Sequence, residues 1–278
     1  MKKYNAFFIL LLSITLLLLA GCGAQNEENG TNEQAQNNNT ATNEEDSLAK
    51  VKEEGKLLVG TEGTYPPFSF HDGSGKLTGF DVEIAEEVAK RLGVEAEFME
   101  TQWDALFAGL DAKRFDMISN QVGIREDRLE KYDFSDPYIT SSAVLIVPKY
   151  NNEIKSFEDI KGLKSAQSLT SNYADLAKQY GAELVGVEGF TQAVELLSSG
   201  RVDITINDNL TLLDYLKQKP DAPIKMAATH EDASQSGLMF RKGSESLVEE
   251  VNKALSGMIE DGTYLEISEK WFGEDVLK

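Results

Sequence analysis

A single cysteine, Cys22, serves 278 residues. No disulfide can form within the chain, so its fold must stand on its core alone. Histidine is almost as scarce: His71 sits in a turn-like stretch and His230 in a polar one. Neither has metal-ligand spacing or a neighbouring cysteine, and no metal or cofactor is expected. A G-x-S-x-G elbow, a Walker phosphate loop and a dinucleotide fingerprint are all missing. Positive charge is in deficit: 27 Lys and Arg face 47 Asp and Glu, a net of −20. Nucleic-acid binding, which needs basic patches to displace counterions, is therefore not expected. Carboxylates remain abundant, so composition leaves a carboxylate acid–base enzyme open.

Long apolar runs are lacking too, with one exception. Met1-Lys2-Lys3 precedes an apolar stretch from Ala6 to Ala20 that is interrupted by Ser13 and Thr15. It is too short for a membrane span and reads as a secretory signal over residues 1–21. It ends in Leu19-Ala20-Gly21-Cys22, which resembles the lipobox of bacterial lipoproteins, in which the cysteine is acylated. That resemblance implies an extracytoplasmic protein anchored to the cell membrane through a lipid on Cys22. Loss of Lys2 and Lys3 with the signal moves the net charge to −22.

What is present then divides the chain. Residues 22–47 are rich in Asn, Glu and Gln and are expected to be a disordered tether. Beyond them the pattern alternates strand and helix, an α/β arrangement. Phe80–Leu92 carries Val82, Ala85, Val88, Ala89 and Leu92 on one helical face and stops at Gly93. A comparable series begins after Pro148. ALFAGLDAKRFDMISN (Ala105–Asn120) and AVELLSSGRVDITIND (Ala193–Asp208) share a helix, an Asp that opens a strand and a polar pair that ends it. Two related lobes are expected, 48–142 with 238–278 and 143–237. The connections between them are expected at Val144–Pro148 and Gly237–Arg241.

Ligands of open α/β sheets gather outside the carboxyl ends of strands. The polar residues there are Glu62, Asn120 with Gln121, the SLTS run that includes Thr170 and Ser171, and Asn207 with Asp208. Arg128 offers a planar fork for a carboxylate. Arg125 and Arg128 read equally as solvated charges paired with their acidic neighbours. Asp208 could receive an ammonium group or simply cap a helix over Leu210–Leu216. Thr170 and Ser171 could hold an anion or cap the next helix. Trp103 belongs by spacing to a core stripe with Leu106, Phe107 and Leu110, yet its place at the helix start could face a cleft. Tyr65 sits in a rigid TyrProProPhe loop.

The segments GTYPPFSF, GKLTGFDVEIAEEVAKRLG, FDMISNQVGIREDRLEKYDFSDPY and DGTYLEISEKWFG resemble the polar amino-acid substrate-binding proteins of ABC importers, solute-binding protein family 3. NQVGIREDR and SAQSLTSNY are most similar to the cystine-binding branch. The resemblance runs from Gly55 to the C-terminus. It implies a two-lobed periplasmic-binding-protein-like fold (type II), each lobe a mixed sheet flanked by helices, joined by two hinge strands that let it close on its ligand. By position it implies Arg128 on the ligand's α-carboxylate and Asp208 on its α-ammonium. Thr170 and Ser171 would add hydrogen bonds, Tyr65 and Trp103 would sandwich the side chain, and Glu62 would meet the distal end.

This chain departs from many relatives in having Gly123 and Arg125 where they carry a hydroxyl pair, and Asn207 stands at a position that varies with ligand type. Cystine is a double zwitterion and needs a second acid and a second base. Glu62 and Arg125 are the candidates for that pair, and Gly123 could make room for the longer ligand. The partners implied are the amino acid, a permease and its ATPase, with the binding protein monomeric and without covalent chemistry of its own. Two other readings remain: a dehydratase of the same fold acting on aromatic amino-acid precursors, and a ligand-sensing module for a membrane partner.

Overall fold

The computed structural model describes residues 46–278. The expected signal, Cys22 and all but the last two residues of the expected tether lie outside the described residues. Those last two belong to a helix end. The Asp46 carboxylate accepts the Leu48 N–H at 3.1 Å and caps α1 (Ser47–Glu54), which Gly55 ends at φ 65. Sequence periodicity does not reveal α1, because only Val51 of its eight residues is buried.

Beyond α1 the elements alternate as predicted. β1 (Lys56–Thr61) leads into a small antiparallel sheet of β2 (Thr64–Tyr65), β3 (Ser69–His71) and β4 (Leu77–Thr78). In the turn between β3 and β4 the Asp72 carboxylate accepts the N–H groups of Ser74 and Lys76. α2 (Phe80–Leu92) buries the expected apolar face and stops at Gly93, φ 73. Then come β5 (Glu95–Glu100), α3 (Trp103–Asp111), β6 (Met117–Gly123), the single turn α4 (Glu126–Leu129), β7 (Tyr132–Phe134) and β8 (Ile139–Pro148). After a 3-10 turn at Phe157–Ile160 the second series follows: β9 (Lys164–Gln167), α5 (Asn172–Gln179), β10 (Glu183–Gly186), α6 (Phe190–Ser198), β11 (Ile204–Asp208) and α7 (Asn209–Gln218). β12 (Ile224–Arg241) returns the chain, and α8 (Glu245–Glu260) and α9 (Thr263–Phe272) pack back on α2.

The main sheet runs β10-β9-β11-β8-β12-β6-β1-β5, with β7 also on β12. Its two ends are parallel sets, β5-β1-β6 and β10-β9-β11, one for each lobe. β8 and β12 run antiparallel between them and join the lobes. These connections are longer than the sequence suggests. Ile139–Ala143 and Ile224–Ser236 are largely polar or half-exposed, and strand pairing to each other holds them rather than an apolar pattern.

The internal similarity has a physical counterpart. In one lobe the Asp116 carboxylate accepts the Leu58 N–H at 3.2 Å while the Asp116 N–H donates to the Leu58 carbonyl. In the other, Asp203 does the same with Lys164, the carboxylate contact being 2.8 Å. Each aspartate thereby ties the start of its strand to the parallel neighbour. Packing is tight beside the first of these. Carbon atoms added at Gly60 or Gly109 would lie 2.5 and 2.7 Å from the Phe115 ring, so both glycines make room for it.

Candidate functional site

The site begins with an irregularity in β6. Gly237 of β12 faces Val122, but Met239 faces Ile118, so β6 carries two extra residues there. Within that bulge Gln121 has φ 49. This left-handed conformation costs a non-glycine residue roughly 1–2 kcal/mol. Regular pleating would send Asn120 and Gln121 to opposite faces. The bulge lets both line one cleft. The strand ends at Gly123 rather than at the polar pair.

The cleft cavity lies outside the carboxyl ends of strands from both lobes. Glu62, Tyr65, Trp103, Asn120 and Gln121 face Ser171, Tyr173, Gly189 and Asn207 across it. Asn120 holds Glu62 at both ends. Its Oδ1 accepts the Glu62 N–H at 2.8 Å, and its Nδ2 donates to Glu62 Oε2 at 2.6 Å. Burial pushes the Glu62 carboxyl up to about 7, against the hydrogen bond from Asn120. The Tyr65 hydroxyl has Gln121 Oε1 at 3.0 Å and Asn207 Oδ1 at 2.9 Å, and it accepts from Thr211 Oγ1 at 3.0 Å.

Arg128 is not a solvated helix charge. It is 5% exposed, with Nη1 on the Gly123 carbonyl at 2.9 Å and Nη2 on the Thr170 carbonyl at 3.4 Å. Its guanidinium carbon lies 5.6 Å from the Trp103 ring centroid and 5.3 Å from that of Phe107. Among the described residues no carboxylate forms an ion pair with it. Burial, reinforced by the neighbouring Arg125 charge, lowers its pKa to about 10.

Arg125 differs. It is half-exposed and paired with Asp127 and Asp175, each at 2.9 Å, so the structure does not bring it to the cavity as a second base. Asp127 satisfies it from along the chain, as its spacing suggests, and Asp175 from α5, which spacing does not show. Gly123 lies against Arg128, with an added Cβ 3.5 Å from Nη1, so the space beside it is the arginine's. Thr170 directs its N–H and its hydroxyl at Asp104 Oδ1, 3.1 and 2.6 Å away, rather than into the cavity. Ser171 caps α5 by accepting the Ala174 N–H at 3.1 Å, and it also lines the cavity. Asp208 caps α7 through Leu210 N–H. Its other oxygen accepts from Ser141 at 2.5 Å and from the cavity-lining Tyr173 hydroxyl at 3.2 Å. Burial raises its pKa.

Three residues were not singled out by sequence reasoning. Tyr173 stands in the SAQSLTSNY segment but carries no signal of its own, and Ser141 has none, since a helical tyrosine and a strand serine are commonplace. Asp81 had one: it is an acid within the apolar face of α2. It is fully buried beside the Tyr138 hydroxyl at 2.8 Å, and burial raises its pKa to about 7.

With this geometry in view, the relatives can be placed. The chain is 51% identical to the L-cystine-binding protein TcyA of Bacillus subtilis (strain 168) over 279 residues, all of both chains. Among solved structures, the L-cystine solute receptor of Neisseria gonorrhoeae in its unliganded open conformation is 46% identical, with a TM-score of 0.56 over 83% of this chain and 98% of that one. An ancestral arginine-binding protein bound to arginine is 41% identical, with a TM-score of 0.74 over 78% and 98%. Residues 57–274 match one family across nearly the whole described fold, and the chain belongs to the bacterial extracellular solute-binding proteins, family 3.

Proposed function

We propose that this chain is the extracytoplasmic binding component of an amino-acid ABC importer and that its ligand is cystine. The observation that carries the reading is Arg128, a guanidinium buried against Trp103 whose hydrogen-bond partners among the described residues are carbonyls. A buried cation without a counter-ion is unfavourable, and a ligand carboxylate would supply one. Glu62, buried at the opposite lobe's Gly189, supplies an acid for a second ammonium group. Asp208 lies behind the Tyr173 hydroxyl, where a carboxylate would favour the first ammonium. Tyr65 and Trp103 are the rings that would flank the ligand between these poles. Cystine, rather than a shorter amino acid, is supported by the resemblance to TcyA and to the Neisseria receptor, which are described as cystine proteins.

In this reading lobe 1 comprises 48–142 with 238–278 and lobe 2 comprises 143–237. The lobes swing about β8 and β12 and clasp the amino acid without chemical turnover. The monomeric closed form delivers it to a permease driven by a separate ATPase, while a lipid on Cys22 keeps the protein at the membrane surface.

Replacing Arg128 by Ala should leave the ligand carboxylate buried and unpaired, which costs about 3–5 kcal/mol. Titration calorimetry with cystine should then show an affinity loss of two to three powers of ten. A loss below tenfold would place the carboxylate elsewhere.

A further inference from the structure

The lobes also meet outside the cavity. Asp104, in the first turn of α3, accepts two hydrogen bonds at one oxygen from Thr170, which lies in the loop between β9 and α5. Arg125, just before α4, donates to Asp175 of α5 at 2.9 Å. None of these four residues lines the cavity. The paired elements stand far apart in the sheet order, since α3 follows β5 at one edge and α5 leads to β10 at the other. Opening the cleft must therefore break both contacts. The overall geometry is nearer to the arginine-bound relative than to the unliganded open receptor, although the open receptor shares more of its sequence.

We infer that Asp104 and Arg125 form a latch with Thr170 and Asp175: positioning residues that do not meet the ligand but set its affinity by stabilising the shut form. The inference rests on the proposed clasp. A contact made only when shut adds to ligand retention, because the ligand and the latch favour the same state. It should slow escape and leave entry unaffected. In this arrangement the Arg125 charge serves closure rather than the ligand's far end.

The test uses the purified full chain, cystine, and the variants Asp104→Ala, Asp104→Asn, Thr170→Ala and Arg125→Ala. Stopped-flow measurements should show the off-rate rising about fivefold to tenfold for Asp104→Ala, with the on-rate within twofold of the parent. Asp104→Asn, which keeps an acceptor oxygen, should recover part of the loss. Asp104→Ala and Thr170→Ala should be non-additive when combined. Small-angle scattering without ligand should give a larger radius of gyration for Asp104→Ala combined with Arg125→Ala than for the parent. An off-rate for Asp104→Ala equal to the parent's overturns the latch and leaves the cystine reading standing. If the parent binds no amino acid, the functional reading fails instead. Scattering then decides the latch alone: an unchanged radius in the double variant overturns it, and an enlarged one upholds it.

Discussion

Glu62 is the residue whose chemistry depends most on its surroundings. Asn120 clamps it from both sides, and burial lifts its carboxyl from 4.5 to about 7. The folded form thus holds this proton more tightly than the unfolded chain does. Its contribution to stability is present below pH 4.5 and declines as pH rises through 7. An ammonium group placed against Glu62 would favour the ionised form and expel the proton. Cystine affinity should therefore strengthen up to about tenfold per pH unit on approach to pH 7 and level off above it. Calorimetry at pH 6 and pH 8 in buffers of differing ionisation enthalpy reads both the affinity and the proton release. Glu62→Gln should flatten the profile. Asp81 also titrates near 7. A pH dependence that persists in Glu62→Gln would transfer the effect there.

At the scale of elements, the β6 bulge turns two consecutive amides into the cleft. Gln121 carries the strain at φ 49 and bonds Tyr65 and Ser141. Gln121→Ala keeps the strained backbone and loses the bonds, a destabilisation of about 1–2 kcal/mol. Gln121→Gly loses the same bonds but relieves the backbone, so it should be more stable than the alanine variant by about 1 kcal/mol. Urea unfolding midpoints give the order, and alanine above glycine would show that the φ value is not strained in solution. The sequence showed the polar pair but placed the strand's end there, because an amide pair after an apolar run looks like an exit from a sheet. It also missed most of β12, whose Thr229–Gln235 portion has no apolar alternation to betray it.

For the whole molecule, the ligand would tie two lobes that also meet through β8, β12, the rim contacts and the hydrogen bonds of Tyr65 and Arg128 across the cleft. Cystine at one hundred times its dissociation constant should add about 2.7 kcal/mol to folding stability. That corresponds to a rise in unfolding temperature on the order of 5–10 °C. Differential scanning calorimetry of the parent should show this, while Arg128→Ala at the same cystine concentration should not shift. A parent unmoved by cystine but raised by another amino acid would reassign the ligand.

Local signals in the sequence were enough for the α/β alternation, the apolar face of α2 and the paired helix–strand units. Short-range periodicity and turn chemistry determine these, and they need no partner. Sequence likewise marked Arg128 as a carboxylate ligand without separating that from a solvated charge. Only the tertiary structure separates the surroundings of Arg125 and Arg128, three residues apart on one turn. Burial beneath Trp103 and Phe107 leaves the second without an ion pair among the described residues, while Asp127 and Asp175 pair with the first. Burial and cross-lobe pairing are properties of distant segments brought together, and no window of neighbouring residues contains them.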